Sequence, residues 1–114
     1  MAADRPGVVE IAWMTNPFRG DKFEEVWTPA CELALRFGAK SWALLRSRDE
    51  PALFRQLAFF DSHLEFERYW NSEEMAEARI RASGYYQLPV VPHWNDEVGA
   101  GVLRQAEEGA GAGV

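Results

Sequence analysis

Leu53-Phe54-Arg55-Gln56-Leu57-Ala58-Phe59-Phe60, followed by Asp61-Ser62-His63-Leu64-Glu65-Phe66-Glu67-Arg68-Tyr69-Trp70, is the stretch on which the fold turns. Residues 53 to 60 read as a strand, and both of its sides are greasy: Phe54, Ala58 and Phe60 lie on one, Leu57 and Phe59 on the other. Asp61 and Ser62 end the strand, and Ser62 with Glu65 three residues on has the capping-box pattern of a helix start. The helix that follows carries Leu64, Phe66, Tyr69 and Trp70. Asn71 and Ser72 interrupt it. A second helical stretch runs from Glu73 to about Ser83 with Met75, Ala76 and Ile80 inward, and Gly84 closes it.

Working outward, Lys40 to Arg46 reads as the strand before, joined through the charged loop Ser47 to Pro51. Val8 to Met14 is the first strand, with Val9, Ile11 and Trp13 on one face and Val8, Glu10, Ala12 and Met14 on the other. Asn16, Pro17 and Gly20 turn the chain. Asp21 is placed to cap a helix, with Glu24 reaching back, and Phe23, Val26, Trp27, Ala30, Ala34 and Phe37 form its apolar stripe. Pro29 falls inside that helix and should bend it near Glu25; Gly38 is its left-handed stop. Tyr85 to Val98 is extended, but Pro89 and Pro92 cannot donate to a ladder, so the last strand is bent or lies at an edge. The division that results is a flexible lead over residues 1–7, one domain over 8–98, and a disordered Gly/Ala-rich tail over 99–114.

The order β-α-β-β-α-β is that of a ferredoxin-like α+β domain: a four-stranded antiparallel sheet with both helices on one face. In a monomer the other face meets water and should be polar. Here Val8, Ala12, Met14, Leu57 and Phe59 compete with that reading. Four strands of ordinary spacing and length present about 400 Å². If mostly apolar, that face is worth about 10 kcal/mol per subunit at about 25 cal/mol/Å². The sequence therefore calls for a second copy across a two-fold axis, giving a homodimer.

Composition narrows the function classes. The net charge is −6, with acidic groups scattered and no basic stripe, which disfavours nucleic acid and anionic membranes as partners. The single cysteine, Cys31, excludes an internal disulfide. No apolar run is long enough to span a bilayer and the first residues lack a signal-peptide pattern, so a cytoplasmic protein is expected. Five Trp residues in 114 either fill the core or line a cavity.

The aromatic first strand (Glu10, Ile11, Trp13), the helix with Phe23 and Trp27, the strand end Phe59-Phe60-Asp61-Ser62 and the run Phe66-Glu67-Arg68-Tyr69-Trp70-Asn71-Ser72-Glu73-Glu74 together carry a resemblance. From about Val8 to Val98 the chain resembles the dimeric α+β barrel superfamily, and within it the antibiotic biosynthesis monooxygenase-like group. The resemblance implies a cavity in each subunit between sheet and helices. It implies a cofactor-free monooxygenase acting on an aromatic or polyketide-type compound, or else a non-catalytic dimer that binds a hydrophobic ligand or serves another protein. Haem-degrading and oxygenase members often use an Asn near the first strand, a Trp, and a His late in the second helical region. Asn16 and Trp70 stand near the first two places, and no His occurs between Glu73 and Ser83.

Two histidines remain as candidate bases, because imidazole changes charge near neutral pH. His93 alternates with Val91 and Asn95 on the last strand and can point into the cavity. His63 opens a helix, where a solvated role competes. The two lie thirty residues apart without a third ligand, so no metal site is expected. Trp13, Trp42, Trp70, Tyr86 and Trp94 are candidate walls for a flat ligand, with Asn16 beside them; core packing is the competing reading for each. Glu10 and Gln56 sit mid-strand among apolar neighbours and are expected to bond across the dimer or face a ligand. Cys31 reads as a buried inert thiol, and Arg79 and Arg81 with the nearby glutamates as an exposed helix face.

Overall fold

Strand β1, Gly7–Met14, lies at the heart of the molecule, and in the computed structural model, described over residues 5–103, three further strands assemble around it. Helix α1 spans Gly20–Glu32 and tightens into a 3-10 turn at Leu33–Phe37. Strands β2 (Ser41–Arg46) and β3 (Leu53–Phe60) form the hairpin, followed by α2 (His63–Trp70), α3 (Glu73–Ala82) and β4 (His93–Asn95). The sheet order is β2-β3-β1-β4 with every pair antiparallel, the α+β arrangement expected from the element order.

Period two and the observed register decide what each face carries. Trp13 pairs with Phe54, Ile11 with Gln56, and Val9 with both Ala58 and Trp94. These residues lie under the helices, where Val9, Ile11, Trp13, Phe54, Ala58 and Phe60 are buried with Phe23, Trp27, Tyr69 and Met75. Trp42 pairs with Ala58 and therefore faces the helices, and the exposed Ser41 takes the open side. The open side of the sheet carries Val8, Glu10, Ala12, Met14, Arg55, Leu57 and Phe59.

Gln56 corrects an expectation. It is 1% exposed and points into the helix layer, not toward a second copy. Its Oε1 accepts from Trp13 Nε1 at 3.0 Å and from Trp27 Nε1 at 2.9 Å. Its Nε2 donates to Tyr69 Oη at 3.0 Å, and that hydroxyl donates to the Ala30 carbonyl at 2.6 Å. One amide thus satisfies two buried indoles and a phenol and ties β1, β3, α1 and α2 together. Glu10 stays on the open face and pairs with Arg55 of its own chain at 3.5 Å.

The caps divide into two groups. Ser62 Oγ accepts from Glu65 N at 3.2 Å, and Ser72 Oγ from Met75 N at 3.1 Å. Asp21 does not cap α1: the helix begins at Gly20, with Arg19 at the cap position and no side-chain bond there. Asp21 and Glu24 instead hold Arg46 Nη1 at 2.8 and 3.1 Å, because a guanidinium brought by the hairpin is a stronger partner than a backbone N–H. Pro29 leaves the helix unbroken, and the tightened turn after it ends on Gly38 at φ 104°. A Cβ there would also lie 2.7 Å from Glu65 Oε2. In α3 the buried stripe is Met75, Ala78 and Ala82, and Ile80, 73% exposed, faces outward with Ala76. The small alanines let α3 approach α1 closely, which a stripe of larger residues would prevent.

The last extended segment touches β1 twice and leaves it between. Tyr86 bridges to Thr15, with Gln87 N donating to the Met14 carbonyl at 2.8 Å. Regular pairing resumes only at His93–Asn95. Pro89 and Pro92 fall within the detour, where a missing N–H costs no ladder bond. Residues 1–4 of the expected lead and 104–114 of the expected tail lie outside the described residues.

Candidate functional site

The detour of the last segment leaves two clefts on the helix side, one beside each point of attachment, and Trp70 lines one of them. The first, of 270 Å³, lies between α2, β1 and β4 and is lined by His63, Phe66, Glu67, Trp70 and Trp94 among others. Its walls are rings. Phe66 and Trp70 stack at 5.9 Å with 25° between planes. Trp94 lies 6.2 Å from Phe66 and meets the His63 ring edge-on at 5.2 Å. His63 Nδ1 stands 3.3 Å from Glu67 Oε2, one helical turn on, so the carboxylate orients the imidazole and leaves Nε2 for a ligand. The His63 side chain is 40% exposed, at the rim.

The second cleft, of 440 Å³, is a groove between α3 and the segment after it, lined by Arg79, Ile80, Ser83, Tyr86 and Leu88 among others. Arg79 was expected on a solvated helix face. It is half-buried instead: its guanidinium carbon lies 4.7 Å from the Trp70 ring centroid, and Nη2 donates to the Trp70 carbonyl at 3.0 Å. Arg79 therefore stands over Trp70 in the helical stretch where the family resemblance called for a histidine.

The structure brings together only part of the expected ligand wall. Trp70 and Trp94 line the ring cleft, and Tyr86 lines the groove. Trp13 packs between them, 6.2 Å from Trp70 and 4.9 Å from Tyr86, but it is fully buried and its N–H is spent on Gln56. Trp42 is on β2, at the opposite sheet edge from Trp94. Three strand spacings, about 14 Å, separate those edges. Asn16 lines neither cleft; its Nδ2 donates to the Gly84 carbonyl at 2.7 Å and its N to the Tyr85 carbonyl at 2.9 Å, pinning the start of the last segment. His93 is on the open face, paired in register with Glu10, because Trp94 takes the inward place opposite Val9 and alternation turns its neighbours out. The expected direction of His93, into the cavity, is thus not the one observed.

Phe66, Glu67 and Arg79 were missed as lining residues. The spacing of Phe66 and Trp70, four apart on one helix, was a usable signal for the stacked pair; nothing local marked Arg79. Two buried acids are ruled out as reactive groups. Burial pushes the Cys31 thiol up from 9.0 to about 12, and burial, with the nearby Cys31, raises the Tyr69 phenol above its ordinary range. Both stay protonated at neutral pH. Among the described residues no group of His, Cys, Asp and Glu is placed to hold a metal ion, and no helix is long and apolar enough to cross a membrane.

Comparison with solved structures places this architecture. A protein from Nitrosomonas europaea named as an antibiotic biosynthesis monooxygenase superposes with a TM-score of 0.75, at 14% identity over 83% of this chain and 92% of that one. A protein of the same description from Caulobacter crescentus gives 0.74 at 16% identity, over 85% and 93%. SnoaB, a cofactor-independent oxygenase from Streptomyces nogalater, gives 0.69 at 15% identity, over 88% and 98%. The chain has the fold of the antibiotic biosynthesis monooxygenase-like proteins. No family sequence model and no curated sequence matches it. At these identities the likeness is one of fold, including the ferredoxin-like sheet and the helix layer over it.

Proposed function

We propose that the chain is a small-molecule enzyme of the cofactor-independent monooxygenase kind, acting as a homodimer on an aromatic or polyketide-type compound held in the ring-lined cleft. The observation that supports it most is His63, fixed by Glu67 at the mouth of a cleft walled by Phe66, Trp70 and Trp94. A flat substrate stacks on those rings. His63 Nε2 takes a proton from an acidic carbon of an anthrone-type substrate, and the resulting carbanion gives its electrons to dioxygen. In balance, a CH2 group and O2 become a carbonyl and water, so all the reducing power comes from the substrate and no cofactor is needed. His63 replaces His93 as the favoured base because only His63 lies in a ring-lined cleft. SnoaB, of the same fold, is described as a cofactor-independent oxygenase, which makes the reading consistent with the fold.

The test is oxygen uptake with 1,8-dihydroxyanthrone. Uptake equimolar with carbonyl product, lost by more than tenfold in His63→Ala and retained in His93→Ala, supports the assignment; uptake that survives His63→Ala overturns His63 as base. A second reading, a non-catalytic dimer that holds a hydrophobic ligand, is favoured by the exposure of His63 at the rim, which leaves a base wet. It predicts quenching of Trp emission by the same compound with no oxygen consumed.

The homodimer part of the proposal is supported by the open sheet face, where Val8, Leu57 and Phe59 lie beside Leu45, which is 50% exposed. Face-to-face packing would remove that apolar surface from water. One chain is 12.9 kDa; light scattering at micromolar concentration should give twice that mass, and a stable particle of single mass rejects the dimer. We also place the protein in the cytoplasm, a reading supported by its lone, buried cysteine.

A further inference from the structure

The groove between α3 and the segment after it has a chemistry of its own. Its walls include Ile80 and Leu88, 73% and 79% exposed, two large aliphatic side chains open to water in one depression. Set among them is Arg79, a cation with no carboxylate within ion-pair distance among the described residues, although the chain carries a net charge of −6. One arm of its guanidinium is committed: Nη2 donates to the Trp70 carbonyl, and the plane rests against the Trp70 ring. The other arm is not. Nη1 is shut away from solvent and has no hydrogen-bond partner. A charged donor withdrawn from water and left unpaired is costly, and proteins rarely keep one without a use for it. The anchored Nη2 fixes where Nη1 stands, which is how a preorganised anion site is built.

We infer that this groove binds the carboxylate of an amphipathic organic acid, with Arg79 as counter-ion and Ile80 and Leu88 as walls for the hydrocarbon part. The volume, 440 Å³, suits a small organic molecule. The carboxylate accepts from Nη1 once the guanidinium turns that nitrogen toward the groove its own side chain lines. Tyr86 and Ser83 line the same groove. The apolar walls select against inorganic anions, and the lone cation selects against neutral lipids and alcohols. The site is independent of the oxygenase reading, since it uses neither His63 nor Trp94.

Isothermal titration of the full chain with decanoate and with decan-1-ol, at low salt and neutral pH, tests it. The expected result is at least tenfold tighter binding of decanoate, with the difference abolished in Arg79→Gln and partly kept in Arg79→Lys. Should Arg79→Gln disturb the fold, Leu88→Asp gives a second measurement at an exposed position: a like charge in the groove should remove decanoate binding while the circular dichroism spectrum stays unchanged. Equal affinity for acid and alcohol, a preference for the acid that survives Arg79→Gln, or decanoate binding unaffected by Leu88→Asp overturns the inference.

Discussion

The two faces of one sheet follow opposite rules. On the helix side of the sheet itself, the buried amide of Gln56 satisfies Trp13, Trp27 and Tyr69 at once. On the open side, Glu10 and Arg55 meet in a half-exposed pair at 3.5 Å among Val8, Leu57 and Phe59, and His93 stands exposed opposite Glu10. Both faces are built from alternate residues of the same strands, so backbone and propensity are common to them. What differs is the solvent. Behind the helices an unpaired polar atom is costly, whereas on the open face water or a second copy can pair it.

The sharpest way to break this contrast is to replace neighbouring polar residues on β3 by the same apolar one. Gln56→Leu orphans two indole N–H groups and should cost about 3 to 5 kcal/mol in urea unfolding, since each buried unpaired donor costs about 1 to 3 kcal/mol. A loss under 1 kcal/mol would mean that water reaches this layer and that the hub is not closed.

Alkaline pH probes the covered side next. Cys31 has a folded pKa of about 12 against 9.0 for the free group. The folded state therefore holds its proton where the unfolded chain has lost it. Its contribution is intact below pH 9 and falls as pH rises toward 12, by about 1.4 kcal/mol per unit. The raised phenol of Tyr69 acts with the same sign once the free phenol begins to ionise. Chemical denaturation from pH 8 to 11 should show this decline, with a shallower slope in Cys31→Ser. Equal slopes would show that the thiol is not the group responsible.

On the open face, Leu57→Asp should leave the monomer folded and weaken self-association by about 100-fold, or about 2.7 kcal/mol, in sedimentation equilibrium. An unchanged association constant would move the dimer contact elsewhere. Arg55→Leu should have the smallest effect. It removes only a half-exposed ion pair, worth less than about 1 kcal/mol, and exposes no buried donor. Were it to cost as much as Gln56→Leu, the two faces would not differ in the way described.

Much of the architecture was legible because its signals are local. The alternation of Leu53–Phe60, the serines before α2 and α3, and Gly38 at φ 104° each act within a few residues. The readings that failed all depended on a neighbour distant in sequence. Asp21 has the chemistry of a cap, but Arg46 arrives from β2 to claim it. Ile80 fits an inward helical stripe, but α1 packs against Ala78 and Ala82 instead. Alternation on the last strand left His93 free to point into the cavity, and only the pairing of Trp94 with Val9 shows that it turns to the open face. The candidate site was half legible: Trp70, Trp94, Tyr86 and His63 were named, but neither their division between two clefts nor the part of Arg79 was.

By itself the sequence determined the element order, the period of each strand, most helix ends and the presence of apolar residues on both sides of the sheet, because these follow from steric preference and burial along the chain. The tertiary structure alone decided which face each strand turned to the helices, which polar groups found each other, and that the last segment leaves β1 between Tyr86 and His93. Those outcomes rest on contacts between residues tens of positions apart, where hydrogen bonds and close packing choose among arrangements that look equivalent one element at a time.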